Sequence, residues 1–386
     1  MRVSVGVAGS GYIARGLVDV LELFPEFKVS RVLTRSVISS RNDFPRPELL
    51  TNEVEDLLRM SDVVVECSGD VLHATDVIEA VIGAGLPAVT MDAEMQVTTG
   101  SYFVGRGAFT EAAGDQPGCL AALTEESVDM GFVPLVYGNI KGFLNHNPTR
   151  EDMEHWGNKQ GISMARVVSF TDGTKLQVEQ ALVANGLGAT IAVGGLLGPR
   201  VDRLDDARDM LAAAALEVGR PISDYVLSPG LPPGVFIIAT HLHYERQRPY
   251  LRNYKLGDGP HYLLLRNYHL CHLEVARTLR QVVAGRNRFL DNAFTPEVSV
   301  AAVAKHALEP GDELQQGVGS FDVRGVAIRF AQHIGHCPIG LLQRAIVVRN
   351  VEQGQMLSMS DVELPDSLAA RAWTSIRQRV IAAHLK

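Results

Sequence analysis

The chain opens on a short apolar run, VSVGVA at 3–8, followed by GSGYIARG and a helix-like stretch from Ile13 to about Phe24. KVSRVLTRS, at about 28–36, reads as a second strand, and residues 53–59 as a short helix. SDVVVECSGD, at 61–70, has the character of a buried parallel strand that ends in a polar turn. A helix over 71–84 and a strand over 87–91 continue the alternation. Strands that alternate with helices predict a parallel sheet with crossover connections.

The pattern from 121 to 240 is mixed. It predicts a helix at 125–131, strand-like runs at 132–140 and 164–170, and a helix at 203–218. SFTDGTKLQVEQALVANG, at 169–186, predicts a helix that begins near Asp172 or Thr174 and ends near Gly186. Gln180–Pro199 is uncharged but rich in glycine, so it reads as a buried helix end and a turn, not a membrane span. Residues 269–284 read as helical. After Phe294-Thr-Pro, short alternating runs such as Val298–Lys305 and Val323–Ile328, separated by EPGDEL and EQGQML, mark a small β-rich module. The expected class is α/β, in three segments. A Rossmann dinucleotide-binding domain spans 1–125, and an α+β catalytic and oligomerisation domain spans 126–295. The β-rich module with a C-terminal helix spans 296–386.

Composition narrows the function. A net charge of −8 over 386 residues argues against a nucleic-acid partner, which demands clustered positive charge. Cys67, Cys119, Cys271 and Cys337 lie far apart with no CxxC, so neither a zinc knuckle nor a disulfide framework is indicated. The N-terminus reads as a strand without a charged leader, and a cytoplasmic protein with no membrane association is expected.

Gly9, Gly11 and Ala14 fit G-x-G-x-x-G/A directly after a strand and at the opening of a helix that begins with Tyr12 and Ile13. Gly9 permits the tight turn, Gly11 lets the backbone approach a pyrophosphate, and the helix N-terminus stabilises the phosphate charge. NAD sites place an acidic residue at the end of the second strand. Here the stretch is Thr34-Arg35-Ser36, whose guanidinium and hydroxyls suit a 2′-phosphate, so NADP(H) is favoured over NAD(H). Cys67, Ser68 and Gly69 end the third sheet strand, where the nicotinamide ribose commonly passes. Cys67 there reads as a small buried residue and not a nucleophile.

Other residues carry candidate chemistry. Lys175 and Glu179 are four apart and share a helix face. Lys141, flanked by glycine in GNIKGFLN, suits an anionic group. Asp92 and Glu94 form D-x-E after a strand; if the strand continues, both face one side and could hold Mg²⁺ or Mn²⁺. His269 and His272 in YHLCHLE would share a face of a helix, with a metal, a substrate hydrogen bond or a core role all open. His241 and His243 read as ordinary strand residues.

VVVECSG, GNIKGFLNHNPTREDM (138–153), SFTDGTKLQVEQALVAN (169–185), GDGPHYLLLRNYHLCHLEVA (257–276) and KHALEPGDEL…PIGLLQRAIVVRNVEQGQMLSMSDVELPD together resemble homoserine-dehydrogenase-like oxidoreductases with a C-terminal SAF-type domain. That group includes the DXR-like reductoisomerases, which make methylerythritol 4-phosphate from deoxyxylulose 5-phosphate. In homoserine dehydrogenases a catalytic lysine opens a helix of the second domain, a few residues after an aspartate, and Lys175 and Asp172 match that place. The spacing is one residue short, the acidic substrate segment upstream is not recognisable, and MDAEMQ stands where a further lysine is usual. These departures argue against homoserine as substrate.

The resemblance implies an NADP(H)-dependent oxidoreductase acting on a small polar hydroxy or oxo compound, phosphorylated or not. Lys175 would be the acid or electrophile, Asp172 its orienter, Glu179 its partner or a simple exposed carboxylate, Lys141 the anion contact, and His269 a further site residue. Two rivals stand beside it. One is a reductoisomerase acting on a keto-sugar phosphate with Asp92 and Glu94 on a metal, and the other is an NADPH-binding sensor or scaffold without turnover. A homo-oligomer, dimer or tetramer, is expected.

Overall fold

The computed structural model describes residues 2–286 and 289–385. They form two compact units, each assembled from separated stretches of chain.

The first unit comprises Met1–Asp115, Leu270–Thr295 and Leu364–Lys386. Its strands are β1 (Val3–Ala8), β2 (Phe27–Leu33), β3 (Leu50–Thr51), β4 (Val63–Glu66), β5 (Ala88–Thr90) and β6 (Phe109–Glu111). Its crossing helices are α1 (Tyr12–Leu21), α2 (Val54–Arg59) and α3 (Val71–Gly83), with short turns α4 (Ala93–Met95) and α5 (Ser101–Phe103). The strand order β3-β2-β1-β4-β5-β6, with parallel pairing throughout, is the doubly wound Rossmann order. Val5, Val7, Val63 and Val65 bury one face against Leu17, Val18 and Leu21 of α1. Val64 on the other face packs against Ala74, Val77, Ile78 and Val81 of α3. Buried on both sides, the strands are near-continuous aliphatic runs, which is why they stand out in the sequence.

The second unit comprises Gln116–His269 and Pro296–Glu363. Strands β7 (Phe132–Lys141), β8 (Ile222–Leu227), β9 (Gly234–His241) and β10 (Tyr262–Arg266) form a sheet of order β10-β9-β7-β8, in which only the β7–β8 pair is parallel. Its helices are α6 (Gln116–Asp129), α7 (Arg150–Gln160), α8 (Met164–Thr171), α9 (Thr174–Gly186), α10 (Leu204–Val218) and α11 (Tyr244–Asn253). Helices α6 and α9 contribute Leu120, Leu123 and Val183 to one face of the sheet, and α10 contributes Leu204, Leu211 and Ala215 to the other. The β-rich segment follows with β11 (Val298–Ala304), β12 (Glu313–Leu314), β13 (Val323–Arg329), β14 (Ala345–Val347) and β15 (Val362–Glu363), arranged as β11-β13 and β12-β14-β15.

Two expectations change. The stretch 164–170 is helical, not extended. Its β-branched pair Val167 and Val168 is buried against Met153 of α7, so packing overrides intrinsic preference. The three consecutive segments become two interleaved units. Helix Val275–Val283 buries Val275, Leu279 and Val282 on the Rossmann core. The C-terminal helix Leu368–His384 joins the same unit, where Arg379 donates to the Ser101 carbonyl at 2.8 Å.

The β-rich segment is tied to α9 by polar side chains. Asn185 accepts from the Glu297 and Val298 N–H groups at 2.9 Å each and donates to the Val298 carbonyl at 2.8 Å. Thr174 accepts from Gly325 N–H, and Gln177 accepts from Ala327 N–H. Leaving a buried amide without an acceptor costs about 1–3 kcal/mol. Asn185→Ala should therefore lower stability by at least that amount in urea unfolding, whereas Leu242→Ala, at a residue 69% exposed, should leave it nearly unchanged.

Candidate functional site

The glycine turn has the geometry of a phosphate cradle. Gly9 sits at φ +116°, and a Cβ there would lie 2.9 Å from the Cys67 carbonyl oxygen, so only glycine fits. Gly11 is the extended N-cap of α1 and faces open space: among the described residues, none beyond its chain neighbours has a heavy atom within 4 Å of where a Cβ would lie. A ligand can thus approach the backbone at the positive end of a helix. Tyr12 is exposed at the helix start, while Ile13 packs on the core.

Side chains outside the glycine motif hold this turn in place. Arg41 donates to the Ser10 hydroxyl at 2.6 Å and to its carbonyl at 2.7 Å, and Ser10 bonds the Thr34 hydroxyl at 2.7 Å. The Ser36 N–H donates to Thr34 Oγ1, and Asn52 donates to the carbonyls of Thr34 and Ser36. The Arg35 guanidinium is largely exposed and lies 2.8 Å from Asp70, the residue that caps α3. Beside it opens a cavity of about 560 Å³ lined by Leu33, Thr34, Arg35, Ser36, Asn52 and His73, among others. That volume suits a small-molecule group. Burial, helped by the Arg35 charge, lowers the His73 pKa and so favours its neutral imidazole.

Glu66 is a fully buried carboxyl at the end of β4 that no motif or spacing in the sequence singles out. It accepts from the Ser68 N–H and hydroxyl at 2.7 and 2.6 Å and from the Thr90 hydroxyl at 2.8 Å. Burial raises its pKa. It shapes the Cys67-Ser68-Gly69 turn, in which Gly69 has φ +68° and Cys67 is buried.

The D-x-E pair does not lie on a strand. β5 ends at Thr90, and Asp92 caps α4 by accepting from Met95 N–H at 3.0 Å. Glu94 lies in the first turn of that helix, so the same-side arrangement of an extended chain is lost. Among the described residues, no group of three His, Cys, Asp or Glu side chains is placed to hold a metal ion. His269 and His272 do not share a helix face either. His269 lies in coil, and His272 lies in the 3₁₀ turn Cys271–Glu274 against Gly16, which has no room for a Cβ. His241 is an ordinary structural residue hydrogen-bonded to the Met130 carbonyl at 3.1 Å.

In the second unit the start of α9 gathers the charged candidates. Lys175 Nζ is 3.7 Å from Glu179, whose other oxygen accepts from Asn139 of β7 at 3.1 Å. The side chains of Lys175 and Glu179 are 13% and 3% exposed, so this is not a solvated surface pair. Glu179 is the partner of Lys175. Asp172 is not. Its Oδ2 pairs with Lys305 of the β-rich segment at 2.7 Å, and its Oδ1 accepts from Thr174 N–H at 2.8 Å. A left-handed turn at Gly173 (φ +87°) lies between Asp172 and the helix that carries Lys175. Lys141 lies two residues after Asn139 on β7, hence on the same sheet face, with its ammonium 5.7 Å from the Phe170 ring centre. On the neighbouring strand, Asp224 accepts from the N–H groups of Leu197, Gly198 and Tyr225, yet burial still pushes its pKa up to about 6.

Residues 114–275 match the family model described as the catalytic domain of the oxidoreductase DRL. This range nearly coincides with the first stretch of the second unit, and it identifies the chain as an oxidoreductase enzyme. No curated protein matches the chain. Among solved structures, the chain is similar to a dipicolinate-bound dihydrodipicolinate reductase from Paenisporosarcina sp. TG-14, with 14% identity, 75% of this chain and 97% of that chain covered, and a TM-score of 0.39. It is also similar to UDP-N-acetylglucosamine 3-dehydrogenase GnnA from Acidithiobacillus ferrooxidans (12% identity, 75% and 92% covered, TM-score 0.42). A third is amine dehydrogenase from Mycobacterium smegmatis (12% identity, 74% and 93% covered, TM-score 0.42). No helix among the described residues is long and apolar enough to cross a membrane.

The Asp172–Lys305 pair is almost wholly buried, so removing one partner strands the other charge. Asp172→Ala should cost about 3–5 kcal/mol in chemical unfolding. The double change Asp172→Leu with Lys305→Met should recover most of that loss. Equal losses in the single and double variants would mean that the pair does not carry this charge balance.

Proposed function

We propose that the enzyme moves hydride between NADP(H) and the carbonyl carbon of a small polar hydroxy or oxo compound. The observation that carries this reading is the open, Cβ-free backbone at Gly11, at the head of α1 and in strand order β3-β2-β1-β4-β5-β6. The first unit would hold the dinucleotide, with the pyrophosphate at Gly9–Gly11 and the 2′-phosphate near Thr34, Arg35 and Ser36. Arg41 would act by holding the turn through Ser10. A nicotinamide cofactor supplies the hydride.

The second unit would hold the substrate. Lys175 would donate to the substrate oxygen, where an ammonium stabilises developing alkoxide charge and can surrender a proton. Glu179, fixed by Asn139, holds that ammonium in place. The placement of Asp92 and Glu94 gives the reductoisomerase reading no support beyond the resemblance, and simple hydride transfer is the reading kept. The sequence phrases after residue 304 support an SAF-type assignment for the β-rich segment.

Two variants test the reading. Charge-assisted contacts to phosphate are worth roughly 1.5–3 kcal/mol, so Arg35→Gln should weaken NADPH about tenfold or more relative to NADH in fluorescence titration. Lys175→Met should leave NADPH binding intact and lower kcat by about 10²–10³-fold on the responsive substrate of a carbonyl panel, as loss of an oxyanion donor does. Full activity in that variant would remove Lys175 from the chemistry.

A further inference from the structure

The acidic residue that an NAD site places at the end of its second strand is missing from the sequence there, where Thr34, Arg35 and Ser36 stand. The fold supplies one from a different strand. Asp70 follows β4, and its Oδ2 lies 2.8 Å from the Arg35 guanidinium.

The two partners differ in freedom. Asp70 is the N-cap of α3: its Oδ1 accepts from the His73 N–H at 3.1 Å, and its side chain is 12% exposed. The Arg35 side chain is 59% exposed, on a long flexible stem. Arg35 can therefore turn towards a ligand, whereas Asp70 cannot follow without giving up the cap. The surrounding charge adds to the carboxylate. Glu53, Glu55 and Asp76 line the cavity beside Arg35, and Arg35 is the one lysine or arginine among the described residues that line it. His73 lines it too, and burial disfavours its charged form.

A ribose 2′-phosphate brings about 1.5–2 negative charges at pH 7. To pair with Arg35 it must draw the guanidinium off Asp70 and then stand near that carboxylate, where like charges repel. A 2′-hydroxyl makes the opposite demand. It carries a proton to donate, and a carboxylate accepts only, with room for several donors.

We infer that Asp70 is a specificity-determining residue for the dinucleotide: it holds Arg35 back from the 2′-phosphate of NADP(H) and accepts from the 2′-hydroxyl of NAD(H), so that the first unit takes both cofactors. The inference rests on the first unit being the dinucleotide unit, and it deepens that reading.

The test is calorimetric titration of the full chain with NADPH and, separately, NADH. The wild type should bind both. Asp70→Asn keeps an oxygen for the cap, and it should tighten NADPH about tenfold while weakening NADH about threefold. Asp70→Ser, a cap of another shape, guards against a folding defect and should shift the two affinities in the same opposite senses. In an Arg35→Gln background the gain in NADPH affinity from Asp70→Asn should shrink, because no guanidinium is left to release. A purely structural cap would move both dinucleotides together. Parallel shifts, or unchanged affinities in both Asp70 variants, overturn the role of Asp70, as does a wild type that binds only one of the two dinucleotides. A wild type that binds neither removes the dinucleotide reading itself, and this inference with it.

Discussion

The second unit depends on the burial of a polar helix. Eleven of the thirteen residues of α9 are buried, and they include Thr174, Gln177, Glu179, Gln180 and Asn185. A helix with no solvent face must satisfy each of these groups from its neighbours, because a buried polar group without a partner costs more than the bond returns. The neighbours are specific. Gln180 donates to the Tyr137 and Asp224 carbonyls, Gln177 bridges Gly195 and Ala327, and Asn185 holds Glu297 and Val298. The helix therefore fixes β7, β8 and the β11–β13 pair around itself in one arrangement. Whatever its first turn presents is held to within the tolerance of those bonds.

That rigidity accounts for the chemistry proposed at the helix start. A lysine on a mobile surface helix would spend its time in water. Lys175 instead sits on a helix that cannot roll, against a carboxylate fixed by Asn139. The Asp172–Lys305 pair performs a separate task, joining the α8–α9 turn to the β-rich segment. Two acid–base pairs at neighbouring points of the chain thus divide the work, one structural and one facing the proposed substrate.

The Rossmann unit was legible because its strands are buried on both faces and its turn must use glycine. Gly9 and Gly11 are required by backbone geometry, and such requirements leave a mark in the sequence. The clamp by Arg41 was not legible, since an arginine in the loop after the second strand carries no spacing signal until the chain is folded back on Ser10. The second unit was harder to read. Strands β8 to β10 lie in a stretch of mixed pattern, and α9 shows no amphipathic stripe because every side of it is buried. The family resemblance singled out Lys175 with Asp172 as its orienter, but Asp172 pairs with Lys305 instead. Only the folded chain brings Lys305, 133 residues away, to that carboxylate.

If the first unit holds a dinucleotide as proposed, the open backbone at Gly11 is the room its pyrophosphate needs. Gly11 has φ −81°, and no described residue beyond its chain neighbours lies within 4 Å of the place a Cβ would take, so a larger residue there should burden a ligand and not the fold. The most direct measurement is calorimetric titration of Gly11→Val with NADPH, alongside its thermal unfolding. The unfolding temperature should stay close to that of the wild type, with NADPH binding weakened beyond detection. A folded Gly11→Val protein that binds NADPH as tightly as the wild type would contradict the dinucleotide reading.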